Sequence, residues 1–483
     1  MNNQRDIDLI NELLSYDNEL SWIEFKKDNA DPIKIGILCS AISNAARLAE
    51  QDFGYVLWGV DDITHQIKGT IFDPNQKKGN EVFQFWLAKQ LKPDLVIRFK
   101  IIQHNNGRIV LLEIPAATTI PTAFENITYI RIGSATPKLS DHPDYHKKLI
   151  ESLRPYTWEQ GIAKQYVTGD DVIRLIDYAA YFRLTKQSLP DSRSGILEKL
   201  AADRLIQKDV SDKWSVTHLG AILFSIDLNQ FDPALARKAV RIIVYSGTNK
   251  ASSVTHRFDS IQGYASAFEN LIGSINNILP GNEKIGDAIR ESHPIFPKLA
   301  VRELIANALI HQDMTITGAG PQIELFKDRI EITNPGKPLM QPDRMIDLPP
   351  RSRNEMMASL MRRMGFCEEQ GSGLDKVIDS IEKAQLPPPL LREAESSMQV
   401  ILYGPRSFAD MTPDERVRAC FQHAVLKWLS GDRMKNSTLC ERFGIDKNNA
   451  AQASKVINQA LKLKLIKAAD PKHPRAGYIP VWV

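Results

Sequence analysis

Cysteine is scarce in this chain. The four present, Cys39, Cys367, Cys420 and Cys440, form no C-x-x-C pair, which excludes a zinc knuckle or a disulfide framework and leaves reduced, structural thiols. The ten histidines are scattered, and neither an H-E-x-x-H helix nor a His-rich cluster is present. No apolar run approaches the ~20 residues needed to span a bilayer. The opening MNNQRDIDLINELL mixes acids among its apolar residues and lacks the basic start and continuous apolar core of a secretory leader. The expected compartment is the cytoplasm, with no membrane partner. Internal repeats and low-complexity tracts are missing, and so is an excess of either charge: 61 Lys and Arg stand against 58 Asp and Glu, a net +3.

That balance hides an uneven distribution. From Arg406 to Val483 there are 14 Lys/Arg and 7 Asp/Glu, a surplus of +7 that leaves −4 for the remaining chain. A basic terminal segment on a near-neutral body points to a polyanion contact.

At 483 residues the chain is long enough for about three to four domains. Residues 1–150 read as α plus β. Ile33, Ile37, Ala41, Ile42 and Ala45 recur at helical spacing after Asp31-Pro32, a helix start. Residues 53–60 (FGYVLWGV) are an apolar run of strand length. Residues 95–103 and 108–114 are strands joined by His104-Asn105-Asn106-Gly107, a hairpin signal, and 129–132 is a further short strand. Residues 151–230 form a helical connector ending in winged-helix order: an amphipathic helix at 195–205, then two short strands. Residues 231–400 carry a strand at 240–245, a helix at 263–279 and a second region rich in motifs. Residues 411–483 are a compact last domain. The expected class is α/β (α+β), multidomain.

Chemistry is suggested first at 18–28, N-E-L-S-W-I-E-F-K-K-D. Glu19 and Glu24 are about 140° apart on a continuous helix and on opposite faces of a strand. They converge only across a break, which Ser21-Trp22 supplies if residues 23–26 lead into a strand. Asp61 and Asp62 follow the apolar run, at a strand end where sites are commonly built. Three carboxylates in one place repel unless a cation neutralises them. Mg²⁺ or Mn²⁺, with their oxygen ligands, suit phosphodiester hydrolysis. By spacing alone the same acids read as solvated surface residues.

Taken in order, E-x-x-x-x-E-F-K from Glu19, I-G-I-L-C-S-A-I-S-N-A at 35–45, G-Y-V-L-W-G-V-D-D at 54–62, I-K-G at 67–69 and Y-I-R-I-G-S at 129–134 resemble the Schlafen AlbA-like domain. The resemblance covers about residues 15–140. It implies a metal-dependent cleavage site of Glu19, Glu24 and Asp62, or Asp61 in a register one residue different, holding Mg²⁺ or Mn²⁺, with Lys26 beside it as a phosphate contact. Phe53-Gly54 stands where many relatives carry Gly-Gly. Other members of that family are regulators, so fold alone does not fix the activity.

The second region begins at 299–313, L-A-V-R-E-L-I-A-N-A-L-I-H-Q-D, where Glu303 and Asn307 share one helix face. An amide oxygen one turn from a carboxylate can hold Mg²⁺ while the carboxylate activates water. Strands at 322–326 and 329–333 turn at Lys327-Asp328 and lead into Asn334-Pro335-Gly336. Arg353-Asn354, a helix and E-Q-G-S-G-L at 369–374 follow. Glycines let backbone N–H groups approach phosphate at a helix start. In this order the motifs resemble the GHKL ATPase superfamily over about residues 290–385, in the divergent branch often fused to Schlafen AlbA-like domains. The resemblance implies ATP with Mg²⁺: Glu303 as general base, Asn307 as Mg²⁺ ligand, Asn334 and Gly336 at the adenine, and Gly371 and Gly373 at the phosphates. N-P-G-K-P stands where that superfamily usually has D-x-G-x-G. Asn still accepts through its side-chain oxygen, but the second Gly is missing.

The last domain reads as three helices, 417–429, 436–443 and 448–463, and a wing at 465–483. Ala453, Val456, Ile457, Ala460 and Leu461 give the third helix one apolar face. Asn449, Gln452, Lys455 and Gln459 lie away from it, and Lys467, Lys472 and Arg475 sit in the wing. These types suit base-edge and phosphate contacts, with the third helix in a major groove. Two functions are expected. One is a Schlafen-like endonuclease on RNA such as tRNA, or on DNA, gated by nucleotide at the GHKL-like domain and serving defence or stress. The other is an ATP-responsive, DNA-binding transcriptional regulator that cleaves nothing. Palindromic sites make a homo-oligomer the expected state.

Overall fold

The computed structural model describes residues 4–16, 20–28, 30–153, 157–279, 281–285, 290–349, 351–367, 373–473 and 476–483. The chain divides into two compact units, Met1–Tyr156 with Lys208–Lys213, and Thr157–Gln207 with Trp214–Val483. The fold is mixed α/β and multidomain. No helix among the described residues is long and apolar enough to cross a membrane.

The first unit runs α1 (Gln4–Leu14), β1 (Ile23–Lys26), α2 (Pro32–Leu48), β2 (Phe53–Trp58), α3 (Phe83–Gln90), β3 (Arg98–His104), β4 (Gly107–Pro115) and α4 (Pro143–Ser152). Its sheet has the order β1-β2-β4-β3. β1 is parallel to β2 and the other pairs are antiparallel. α2 starts where Asp31 accepts from the Lys34 N–H and Pro32 fills the first turn, which satisfies an orphan donor and pre-sets φ. Both faces of the sheet are covered. Val56, Trp58, Leu112 and Ile114 pack with α2 and α3, while Tyr55, Leu57 and Leu111 pack with α1. A strand buried on both sides reads as a continuous apolar run. The expected strand at 129–132 is corrected to isolated bridges, Tyr129 with Lys138 and Ile132 with Ala135. Side chains of α2 take the place of a neighbouring strand there: Ser40 Oγ accepts from the Tyr129 N–H at 3.0 Å and Asn44 donates to the Tyr129 carbonyl at 2.8 Å.

The second unit opens with β5 (Ile162–Val167), α5 (Gly169–Leu175), α6 (Tyr178–Leu184), α7 (Arg193–Ala202), β6 (Ile206–Lys208) and β7 (Trp214–Thr217). These strands form a sheet in the order β5-β7-β6. After α8 (His218–Phe224) come β8 (Arg241–Tyr245), β9 (Val254–Asp259), α9 (Tyr264–Ile278), α10 (Lys298–Ile310), β10 (Gln322–Leu325) and β11 (Arg329–Pro335). α11 (Glu355–Arg363), α12 (Gly373–Lys383), β12 (Leu390–Ala394) and β13 (Ser397–Tyr403) complete a six-stranded sheet of order β9-β8-β10-β11-β13-β12. β8 and β10 are parallel. Phe268, Leu304, Met361 and Val377 pack from the helices onto Ile323, Ile330 and Ile332 of the sheet.

The chain then forms α13 (Pro413–Leu429), α14 (Asn436–Phe443), α15 (Ala451–Lys462) and a ribbon of β14 (Ile466–Ala468) and β15 (Tyr478–Pro480). A capping box of Thr412 and Glu415 starts α13, and Gly444, at φ 62°, ends α14 in the left-handed conformation that glycine adopts freely. α12 belongs to two cores. Val377 and Ile381 face the sheet, whereas Ile378 joins Val425, Phe443 and Val456 of the last three helices. At its end, Glu382 accepts from His423 Nδ1 at 2.9 Å and pairs with Arg442 at 3.4 Å.

Candidate functional site

In the first unit, residues 21–22 form a turn that feeds β1, so Glu24 sits on a strand and is buried. Its carboxylate is ion-paired with Lys26 and with Arg131, whose side chain is only 1% exposed. β1 and β2 are parallel, so their ends reach the same edge of the sheet, and the Gly59 N–H donates to the Lys26 carbonyl at 2.8 Å. Asp61 shapes the loop after β2. Its Oδ1 accepts from the Thr64 N–H and hydroxyl, both at 2.9 Å, and these bonds hold its carboxyl below the usual range. Asp62 is exposed. Glu19 lies outside the described residues. The structure therefore joins Glu24 with Lys26 and Arg131, and does not gather it with Asp61 and Asp62. Among the described residues no group of three His, Cys, Asp or Glu stands ready for a metal ion.

Reading from sequence missed Arg131, although it lies inside Y-I-R-I-G-S; a lone Arg in an apolar strand-like run is the signal of a buried partner acid. It also missed what the polar residues of α2 do. Ser40 and Asn44 donate to the Thr122 carbonyl at 2.6 and 2.9 Å, and Asn44 accepts from the Thr122 N–H at 2.8 Å. They tie down a loop that has no strand beside it.

In the second unit a cavity of about 790 Å³ opens between the six-stranded sheet and helices α10, α11 and α12. Its floor is the sheet face carrying Ile332, Asn334, Leu391, Met398 and Val400, held in register by the β11–β13 and β12–β13 ladders. Asn334 is 6% exposed. Glu303 and Asn307 enter from α10, and Asn307 Nδ2 lies 3.4 Å from Glu303 Oε1. Gly373 begins α12 directly against that carboxylate: a Cβ there would fall 2.0 Å from Glu303 Oε1. Gly336, at φ 101°, turns the chain against Asp313, where a Cβ would meet the Asp313 Cβ at 2.5 Å. The cavity thus brings together Glu303, Asn307, Asn334, Gly336 and Gly373, while Gly371 lies outside the described residues.

Cations line the same cavity. Arg351, Arg353 and Arg362 face it beside His311. Arg353 donates to the Lys337 carbonyl at 2.8 Å, whereas Arg351 and Arg362 have no carboxylate partner among the described residues. Burial, with Arg353 and Arg362 close by, pushes His311 down to about 4, so the ring is neutral at neutral pH. The outer wall is residues 339–348, where Met340, Met345 and Leu348 face the cavity. Ile346 points the other way, into the core of the last three helices, and Arg344 lies over the Trp482 ring at 4.5 Å. α11 is held by the three-helix region before it: Asp203 accepts from Arg363 at 3.0 Å and from the Tyr181 hydroxyl at 2.5 Å.

On the last three helices, Gln452, Lys455 and Gln459 are exposed along one face of α15. Asn449 is exposed just before that helix, and Lys467 and Lys472 are exposed around the ribbon. Ala453, Val456, Ile457 and Ala460 are buried on the opposite face. Arg475 lies outside the described residues.

Two segments match known domain families. Residues 19–140 match the family described as "Schlafen, AlbA_2", and residues 318–402 match "Putative ATP-dependent DNA helicase recG C-terminal", an ATPase-like domain. This is the fusion that the motifs resemble. The Schlafen-like segment spans Glu24, Asp61 and Arg131. The ATPase-like segment spans Asn334, Gly336 and Gly373, and Glu303 and Asn307 precede it. Among solved structures, the chain is similar to the DIP2311 protein from Corynebacterium diphtheriae, at 16% identity and a TM-score of 0.43, with 99% of this chain and 98% of that one covered. It is also similar to the N-terminal domain of a "Putative ATP-dependent DNA Helicase RecG-related Protein" from Nitrosomonas europaea, at 25% identity and a TM-score of 0.19, over 28% of this chain and 92% of that one. No curated protein matches.

Proposed function

We propose that this protein binds a nucleotide in the cavity of its ATPase-like domain and that loading adjusts how its carboxy-terminal helices, of winged-helix order, engage nucleic acid. One observation carries the reading. Two walls of the cavity, α12 and residues 339–348, are also built into the core of those helices through Ile378 and Ile346. A ligand that moves either wall moves the exposed face of Gln452, Lys455 and Gln459.

The lining fits the ligand. Arg351 and Arg362 suit phosphates, and the backbone at Gly373 offers a helix start without a Cβ. The apolar floor suits a base. A Mg²⁺ accompanying the phosphates would be held by Asn307 beside Glu303, and it would supply charge neutralisation there. Neutral His311 offers one ring nitrogen as a donor or acceptor without adding to the positive charge.

The test is ATP binding by calorimetry and duplex DNA binding by fluorescence anisotropy, with and without ATP, for wild type, Arg362→Ala and Lys455→Ala. ATP is expected to change the duplex affinity of wild type, and Arg362→Ala to weaken ATP and abolish that change. Lys455→Ala is expected to weaken duplex binding and lower its salt slope by about one. Wild type that binds no nucleotide, or a duplex affinity indifferent to ATP, overturns the reading.

A second reading is a metal-dependent endonuclease on RNA such as tRNA, or on DNA. The parallel pairing of β1 with β2 favours it, because Lys26 and the Asp61–Asp62 loop then share one sheet edge. Glu24, already balanced by Lys26 and Arg131, does not fit a divalent cation in this arrangement. Mn²⁺-dependent cleavage by wild type that Asp62→Asn loses, with an unchanged melting temperature, would favour this reading over the first.

A further inference from the structure

β9 lies at one edge of the six-stranded sheet, with β8 as its single neighbour among the described residues. Every residue of this strand, Val254–Asp259, is exposed. Nearby hydrogen bonds fix which backbone groups turn outward. The Ser260 N–H donates to the Val240 carbonyl at 2.8 Å, while the Arg241 N–H donates the other way, to the Pro321 carbonyl at 3.0 Å. Backbone groups alternate sides along a strand. Arg241 stands opposite Asp259, Ile242 opposite Phe258 and Ile243 opposite Arg257. The N–H and C=O groups of Phe258 therefore turn to β8, and those of Arg257 and Asp259 turn away from the sheet. Such a row is a template for another strand.

We propose that two copies of this chain join along β9, antiparallel about a two-fold axis beside Phe258. A two-fold pairing sets residue i of one copy against residue j of the other, and j against i. Outward-facing residues exchange hydrogen bonds only with outward-facing ones. With the axis at Phe258, Arg257 faces Asp259 of the second copy and Asp259 faces its Arg257. Both pairs then exchange main-chain hydrogen bonds. The two Phe258 rings meet at the axis, in the closer, non-hydrogen-bonded spacing that suits an aromatic pair. An axis at Arg257 or at Asp259 would oppose like charges. An axis at His256 would set Arg257 opposite Thr255 and give it no acid. Both sides of the strand agree with the Phe258 register. Phe258 is 53% exposed and stands opposite Ile242, which is 2% exposed, so the apolar layer beneath the helices runs to the edge and ends there uncovered. Arg257 and Asp259 stand on the other side, 3.3 Å apart, with Arg241 3.0 Å from Asp259. An edge guarded by lysines repels a copy of itself. One charge of each sign, two residues apart, makes this edge complementary to itself. Exposed ion pairs contribute little energy, so the charges select the register while the main chain and the phenyl rings hold it. Neither nucleotide nor nucleic acid enters the pairing.

The experiment is sedimentation equilibrium of the full chain at up to roughly 100 μM, where association through a small interface is readable. Wild type, Arg257→Glu, Asp259→Arg and the double variant are compared, each first checked by thermal melting. Wild type is expected to dimerise. Each single variant sets like charges opposite one another and is expected to weaken the dimer about tenfold. In the double variant, and in an equimolar mixture of the two single variants, opposite charges face each other again and the dimer is expected to return. Arg257→Glu leaves Arg241 paired with Asp259, so its effect is read without loss of that contact within the sheet. Wild type that stays monomeric over this range overturns the proposal. So does a dimer that Arg257→Glu leaves intact, or a pair of single variants whose mixture stays monomeric.

Discussion

The Glu159 carboxylate accepts the backbone N–H of Met357 at 2.6 Å and that of Met356 at 3.2 Å. A residue from the start of the second unit thus caps α11, the cavity helix, whose own Asn354 makes no side-chain cap bond. Burial raises the Glu159 carboxyl despite these bonds, which reflects how fully the cap is enclosed. Glu159→Ala leaves buried donors unpaired and is expected to cost about 1–3 kcal/mol. Denaturant melts check this. Nucleotide affinity should fall with it, because Ala358 and Arg362 of the same helix line the cavity. An unchanged midpoint would show that α11 does not depend on the cap.

Gly373→Ala is expected to separate chemistry from stability. The added methyl would meet the end of a flexible side chain, the Glu303 carboxylate, rather than backbone. Glu303 swings aside at little cost to the fold, while its position over Asn307 is lost. The melting temperature should hold, and any nucleotide hydrolysis, read as phosphate release, should drop at least tenfold. If release is measurable in wild type and survives unchanged, Glu303 is not the group that activates water.

Glu24→Ala is expected to damage the fold of the first unit whatever that unit does. It takes the Glu24 charge away from the buried Arg131 guanidinium, and breaking a buried ion pair from one side costs roughly 3–5 kcal/mol. The double variant Glu24→Leu with Arg131→Met, which removes both charges, should recover most of that loss. Circular-dichroism melts of the three proteins decide it. A single variant as stable as wild type would mean that Arg131 finds another partner.

His311 predicts a pH dependence. Its folded value near 4 lies below the ordinary 6.5, so between those values the unfolded chain holds the extra proton. Stability is fully present above about pH 6.5 and is lost as pH falls through the window, by at most ~3 kcal/mol. Denaturation at pH 7.5, 6.0 and 5.0 should show wild type losing ground to His311→Asn. Parallel losses in both proteins would assign the effect to other groups.

Local patterns made much of this molecule legible. Asp31-Pro32 marked the start of α2, His104 to Gly107 marked the β3–β4 hairpin, and the spacing of Ala453, Val456, Ile457 and Ala460 marked the buried stripe of α15. Glu303, Asn307, Asn334, Gly336 and Gly373, each a candidate on its motif alone, share one cavity. Contacts between residues far apart in the chain stayed hidden. Nothing near Glu24 reveals Arg131, and nothing near Met357 reveals Glu159. The segment at 129–132 has strand composition, but its hydrogen-bond partners are Ser40 and Asn44 on a helix. The cations at Arg351 and Arg362 belong to no recognisable motif, because their place in the cavity is visible only once the neighbours are in place.

α12 carries a wide apolar stripe, with Leu374, Val377, Ile378 and Ile381 spread over more than one face. Neither of the cores it serves is complete without it, so the last helices are not a portable module. Cut away from α12, they would expose Val425, Phe443 and Val456 and leave Arg442 without Glu382. The body left behind would show Ile346 and Ile378 to water. A graft of residues 411–483 onto another protein would carry the reading face but lose the support beneath it. Any gene rearrangement that shuffled those helices would have to take α12, a wall of the cavity, along.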